Sequence, residues 1–333
     1  MRIWLFSVLL LGNIHSFSQG NIEEKMATLL PVDTLPSGLL KGKTVVLLEM
    51  ESESTDEWDK VTTIVHENLK KAGVDAVAYY LYREFFAGVE VSRSFALDLM
   101  KREIDHMVLV KYTGDQGTVA VLVPVYNEAL IQAGTTAWIK KGPLNDIMKS
   151  LYIRAANSGL ERTNFLINDV PERGVLTDPI NGQRATYFSI VLDKNKLAIP
   201  KMNSEAENAE LNQILSEVYP FAYGLVEGNI PEPELLSQGY QFILRHVKAP
   251  LLTTRDFLGY EHQEGVTAYM SSVRNGDEVE MKAIRIQEEV YKYYIKHIRS
   301  GTTYLGTEWD VDHTWQEALK NHINSMKNKT GIK

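Results

Sequence analysis

The chain of 333 residues contains no cysteine. That absence excludes disulfides, cysteine-ligated zinc, iron–sulfur clusters, a thiol nucleophile and a lipid anchor on cysteine. Basic residues are also in short supply, since 35 Lys and Arg against 43 Asp and Glu give a net charge of −8. A general nucleic-acid binder needs a basic footprint, which this composition does not provide. With 22 Gly and 11 Pro the chain is too poor in both to be collagen-like or a linker. At 44% hydrophobic residues it is too apolar for wholesale disorder. The motifs G-x-S-x-G, H-E-x-x-H, G-x-G-x-x-G and the EF-hand loop are all missing, so no cofactor is predicted.

What is present begins with an export pattern. Met1-Arg2 is a short positive start, and Ile3 to Leu11 is apolar apart from Ser7. Gly12 and Asn13 break that run, and Ser16-Phe17-Ser18 places small residues where a signal peptidase would cut before Gln19. Residues 1–18 are therefore expected to be a signal peptide, and the mature protein periplasmic or secreted. The apolar core is too short for a permanent membrane helix, and no later run is long enough for one.

The remainder reads as α/β, with two similar β-α-β-α-β-β-β-α units in tandem, mixed sheets and a C-terminal helix. Tyr152-Ile153-Arg154 with Ser158-Gly159 recurs as Tyr294-Ile295-Lys296 with Ser300-Gly301, at an offset of 142 residues. The same offset carries Thr44–Leu48 onto Thr186–Ile190, a second strand-like run. Ser54-x-x-Glu57 and Ser204-x-x-Glu207 are capping-box patterns that open one amphipathic helix in each unit. Further strands are expected at Ala76–Tyr82, His106–Tyr112, Thr118–Val125 and Ala129–Ile139, and at Tyr223–Glu227, Gln241–Val247, Val266–Val273 and Glu278–Ile286. Short helices fall at Ser94–Glu103 and Pro233–Gln238. Each unit closes with its Tyr-Ile-basic segment as a helix, which puts Tyr291, Tyr293, Tyr294 and His297 on a helix. The boundaries are an N-terminal segment 19–42, a first unit 43–167, a Pro- and Gly-containing linker 168–184, a second unit 185–306 and a C-terminal helix and tail 307–333.

Four features invite a chemical reading. Gly38-Leu39-Leu40-Lys41-Gly42-Lys43-Thr44 resembles a phosphate loop, but it is one residue short and opens a strand where a phosphate loop opens a helix, so nucleotide binding is rejected. Glu49, Glu51, Glu53, Asp56, Glu57 and Asp59 crowd the end of the first strand, an edge where ligands sit in open α/β sheets. The second copy keeps only Asp193 there. Glu308-Trp309-Asp310-Val311-Asp312-His313 is a second polar and aromatic cluster. Glu51, Asp56, Asp310 and Asp312 are the candidate metal ligands, with Ca²⁺ or Mg²⁺ the hard cations their oxygens suit. The competing structural account makes the first cluster a solvated loop and helix start, and uses Asp312 or Thr314 as an N-cap. Asn328-Lys329-Thr330 is a formal glycosylation sequon.

Tyr291-Lys292-Tyr293-Tyr294-Ile295-Lys296, Glu308-Trp309-Asp310, Thr314-Trp315-Gln316 and Thr163-Asn164-Phe165-Leu166-Ile167 together resemble exported proteins of the Bacteroidota that have no assigned activity. The order of elements is also similar to periplasmic α/β modules of the TolB N-terminal and CsgG kind, an analogy of architecture. The resemblance implies a bacterial periplasmic or secreted location. The leading expectation is an exported, non-enzymatic binding or assembly module that docks an envelope protein or surface component. The alternatives are a hydrolase using Glu51, Asp56, Asp310 and Asp312, and a small-ligand carrier or sensor using the cleft between the units.

Overall fold

The computed structural model describes residues 21–51, 54–126, 130–165, 167–174, 177–180, 182–228, 230–275, 278–306 and 309–330. The signal-peptide segment, Glu53 and Glu308 lie outside them. The first half runs α1 (Ile22–Ala27), β1 (Leu30–Val32), β2 (Lys43–Met50), α2 (Thr55–Ala72), β3 (Asp75–Leu81), α3 (Tyr82–Phe85), α4 (Val89–Lys101), β4 (Ile104–Thr113), β5 (Gln116–Leu122), β6 (Thr136–Pro143), α5 (Leu144–Asn157) and β7 (Glu172–Arg173). The second half runs β8 (Arg184–Ala185), β9 (Leu197–Pro200), α6 (Glu205–Val218), β10 (Tyr223–Val226), α7 (Glu232–Ser237), β11 (Phe242–Pro250), α8 (Leu251–Leu258), β12 (Ala268–Asn275), β13 (Glu278–Arg285), β14 (Glu289–His297), β15 (Thr303–Tyr304) and α9 (Trp315–Thr330).

The class is α/β, built on two mixed sheets and a hairpin. The first sheet has the order β1-β6-β5-β4-β2-β3-β7 and the second β10-β9-β11-β14-β15-β8, while β12 and β13 pair only with each other. In each sheet a central strand, β2 or β9, takes parallel neighbours on both sides, and the chain then returns antiparallel. Strands covered on both faces read as continuous apolar runs. Accordingly Val45 and Leu47 of β2 join one core while Val46 and Leu48 join the other. Val61, Val65 and Leu69 of α2 and Ile147, Met148 and Leu151 of α5 cover the outer face of the first sheet. Leu211, Ile214 and Leu215 of α6 and Leu319, Ile323 and Met326 of α9 cover the outer face of the second. Between the sheets lies a shared core, in which Phe85 and Phe95 meet Val247, Phe257 and Tyr294.

The caps follow local chemistry. Ser54 accepts from the Glu57 N–H, Gly73 ends α2 in the left-handed conformation at φ 89°, and Ser204 and Glu207 complete a reciprocal capping box on α6. Lys43 opens a strand, as the rejection of the phosphate loop requires.

Three expectations are corrected. Tyr291, Tyr293, Tyr294 and His297 lie on β14, because Tyr293 and Tyr294 are both buried on opposite faces, which adjacent residues achieve only in a strand. Thr186–Ile190 forms no strand, and the strand equivalent to β2 in sheet order is β9, eleven residues further on. The 142-residue offset thus joins a helix, α5, to a strand, β14. Asp193 precedes β9 and does not sit at its C-terminal edge.

A buried charge group pins the last helix. Lys292 and Asp310 are both 0% exposed, and the Lys292 Nζ donates to Asp310 Oδ1 at 2.5 Å and to the Leu305 carbonyl at 2.8 Å. The other Asp310 oxygen accepts from His322 Nδ1 of α9 at 3.2 Å. Burial alone would raise the Asp310 pKa, but Lys292 and His322 outweigh it and hold the carboxyl below its usual range. Asp310→Ala leaves an unpaired ammonium in the core and is expected to cost ~3–5 kcal/mol in denaturant unfolding. A loss under ~1 kcal/mol would contradict this account.

Acid sensitivity follows from the histidines. Burial pushes His66, His106 and His322 below the ordinary range, and burial together with Arg245 and Lys248 pushes His246 down to about 4. Below pH ~6.5 the unfolded chain therefore binds more protons than the folded one, so this stability is present above that pH and lost as pH falls towards the folded values. His246 alone contributes about 2 kcal/mol of the change between pH 7 and pH 5. Thermal melts should show a lower midpoint at pH 5 than at pH 7, and a flat profile would refute the linkage.

Candidate functional site

β9 is only four residues long. It pairs with β10 throughout but with β11 only at Phe242 and Ile243. From Leu244 onward β11 has no neighbour from its own sheet on that side. The first half of the chain takes the place: the Lys248 N–H donates to the Ala87 carbonyl at 2.7 Å. Gly88 then passes so close that a Cβ there would lie 2.5 Å from the His246 carbonyl oxygen, which only glycine permits.

Between the end of β9 and this edge of β11 is a cavity of about 230 Å³. Its floor is Leu244, His246 and Lys248 of β11 with Tyr291 and Tyr293 of β14. One wall is the β9–α6 turn, Pro200 to Asn203, held by the Lys201 N–H to Val226 carbonyl bond and by Asn208, which accepts from the Met202 N–H and donates to its carbonyl. Another is the start of α4, Gly88, Val89 and Ser92, and Trp315 at the start of α9 closes a further side. This is the crevice beyond the carboxyl end of a parallel strand, where the chain has gone to one side and then the other, the usual ligand position in open α/β sheets.

The charges around it are fixed. Arg245 and Lys296 of the second sheet, Arg93 and Glu90 of α4 and Glu232 of α7 form one network. Arg245 lies 3.3 Å from both carboxylates, and Lys296 lies 3.0 Å from Glu90 and 2.9 Å from Glu232. Arg93 reaches Glu90 at 3.2 Å and Glu232 at 3.4 Å. Burial opposes ionisation of Glu232, but Lys296, Arg245 and Arg93 hold its pKa below the usual range. Lys248 pairs with Glu289 at 2.9 Å and lies over the Tyr291 ring, and these contacts outweigh burial to keep its pKa raised. The His246 ring lies 6.0 Å from that of Tyr291 and 5.4 Å from that of Tyr293.

The residues singled out from sequence are placed elsewhere. Glu51 and Asp56 are exposed where β2 gives way to α2. Their neighbours have structural work, since Glu49 accepts from the Ile22 N–H at the start of α1 and Asp59 pairs with Arg173. Asp310 is consumed by Lys292 and His322, and Asp312 pairs with Lys282 at 2.8 Å. Thr314, not Asp312, accepts from the Glu317 N–H at the start of α9. Adjacency in sequence is what keeps Asp310 and Asp312 together, whereas Glu51 and Asp56 belong to the edge of the first sheet in the other half of the chain. Among the described residues no group of three or more His, Asp or Glu is arranged to hold a metal ion. The sequence offers a cleft between the units as one alternative but names none of these lining residues, because the 142-residue offset misplaces β9. The N-cap serines Ser54 and Ser204 give a different offset, which brings β2 onto β9 and sets Lys201 opposite Glu51.

No family model matches the chain, and no curated protein does. Solved structures of PelC from Paraburkholderia phytofirmans are similar to part of it. One is a variant PelC dodecamer, 12% identical over 38% of this chain and 92% of that one, with a TM-score of 0.22. Another is the PelC dodecamer in a different space group, 12% identical over 39% and 95%, again with a TM-score of 0.22. A superposition of that quality fixes neither fold nor function for this chain.

Proposed function

We propose that this is an exported binding protein that holds a small ligand in the cavity between its two halves and carries out no reaction on it. The observation that carries the reading is the unfinished edge of β11: the sheet stops short, and the first half closes the gap while leaving about 230 Å³. The site combines an apolar and aromatic lining with a few fixed polar groups, the general character of small-ligand sites. The carboxylates that a hydrolase would use are dispersed or committed to ion pairs. The N-terminal sequence supports export, and no helix among the described residues is long and apolar enough to cross a membrane.

A second reading, docking to an envelope partner, is favoured by the β12–β13 hairpin. Met270, Val279 and Met281 are exposed there, and Ser272 sits opposite Met281 on the same face as Met270.

Thermal unfolding against a panel of nucleotides, divalent metals, oligosaccharides and small organic acids tests the first reading. A ligand that binds only the folded state stabilises by ~2.7 kcal/mol at a hundredfold excess over Kd. Met202→Trp fills the cavity from a half-buried loop position. The expected result is a ligand that raises the midpoint of the parent protein and leaves Met202→Trp unmoved. A ligand that shifts both alike, or a panel that shifts neither, defeats the reading.

A further inference from the structure

We infer that the ligand is a planar aromatic ring carrying one carboxylate, of about the size of benzoate, an assignment that rests on the binding reading above. Volume sets the scale. A dry cavity of ~150 Å³ accepts benzene, so about 230 Å³ accommodates ~9 non-hydrogen atoms in the same proportion. That is a six-membered ring with one small substituent.

The lining selects a flat molecule. His246, Tyr291, Tyr293 and Trp315 all border the space, so rings meet the ligand from β11, β14 and α9. Aromatic walls favour a ring in offset-stacked or edge-to-face contact over a bulky saturated group.

The polar groups select an acceptor. Tyr293 is 3% exposed, and its hydroxyl has no hydrogen-bond partner. Tyr219 and Tyr260 also carry unpaired hydroxyls, but neither lines the cavity. A buried hydroxyl without a partner is costly, and a ligand oxygen at this wall removes that cost. Burial pushes the Tyr293 phenol far above its ordinary range, so it remains a donor at any working pH. α4, thirteen residues long, begins at the wall with Gly88 as its N-cap, so no side chain caps its first-turn N–H groups. Two ammonium groups, Lys201 and Lys248, also border the cavity, each paired on its outer side with a carboxylate, Glu227 or Glu289. Of Glu207, the carboxylate on the wall, one oxygen is engaged, since Oε2 accepts from the Ser204 N–H and hydroxyl at 3.1 and 2.8 Å. Donors from Tyr293 and the start of α4, with the Lys201 and Lys248 ammonium groups at the rim, thus face the site.

Isothermal titration of the full chain as purified, with benzoate, benzamide, cyclohexanecarboxylate and inorganic phosphate, tests the assignment. Benzoate should bind the parent protein, at least tenfold more weakly to Tyr293→Phe, and not measurably to Met202→Trp. Benzamide and cyclohexanecarboxylate should each bind at least tenfold more weakly than benzoate. The free Tyr293→Phe protein should melt no lower than the parent, which separates a ligand-directed hydroxyl from one needed for folding. Benzamide binding as tightly as benzoate, and lost in Met202→Trp, would overturn the carboxylate while leaving the cavity as a binding site. Cyclohexanecarboxylate or phosphate binding as tightly as benzoate would overturn the ring. If none of the four binds, the ligand class is wrong, and the wider panel then decides separately whether the cavity binds anything.

Discussion

The hydrogen bond from the Lys248 N–H to the Ala87 carbonyl marks the constraint on which the rest of the molecule turns. A nine-residue strand is paired along one edge with β14 and along the other with only two residues of β9. Open strand edges buried inside a protein leave backbone donors and acceptors without partners, which is costly. At Lys248 the deficit is met by the α3–α4 turn of the other half. Once that turn is seated, Phe85 and Phe95 are brought against Val247 and Phe257, and Glu90 is brought within reach of Arg245 and Lys296. One backbone contact, one shared apolar core and one charge network therefore fix the same docking geometry.

The two charge groups differ in what they specify. The Glu90–Arg245–Lys296–Glu232–Arg93 network spans both halves and is partly open to solvent. The Lys292–Asp310–His322 group is sealed within the second half, where it ties β14 to α9. Desolvating such charges largely cancels their attraction, so apolar residues could give similar stability. What the ions add is register. A shift of α4 by one turn would strand Glu90, and a rotation of α9 would pull His322 from Asp310. Trp315, on the first turn of α9, is thereby held at the cavity.

The α/β class was legible because β2 and the helices that follow the two central strands obey simple local chemistry. Val45 to Leu48 form a continuous apolar run, Ser54 and Ser204 open helices, and Gly73 closes one. The misreadings also have local causes. Val290 to Ile295 is rich in β-branched and aromatic residues, a strand composition, but the Tyr-Ile-basic match to α5 drew it into a helix. β9 is four residues of ordinary sequence, Leu197-Ala198-Ile199-Pro200, and nothing in it signals that it stops short of its neighbour. The lining of the cavity was illegible for that reason. Gly88, Asn203, His246, Tyr293 and Trp315 come from five separated segments, the last four gathered by the second sheet and its helices and Gly88 brought in by the docking of the first half. The acidic runs, conspicuous in the sequence, are explained in part by duties at chain ends and strand edges: Glu49 at α1, Asp59 with Arg173, Asp312 with Lys282.

Burial and neighbouring charges set the protonation states of three groups on the cavity wall. General acid–base chemistry needs a group whose pKa lies near the working pH, so that it both gives and accepts a proton. Burial and two adjacent cations push His246 down to about 4, which keeps its imidazole neutral. Glu289 and Tyr291 hold Lys248 charged, and burial holds Tyr293 protonated. Each of these groups is thus locked in one protonation state through the neutral range. Such a wall presents a constant pattern of donors and charge to whatever enters, which favours recognition, and offers no group among the three poised to exchange a proton with it. The burial that keeps His246 neutral and Tyr293 protonated also strengthens any hydrogen bond they make to a ligand, because fewer waters compete for them.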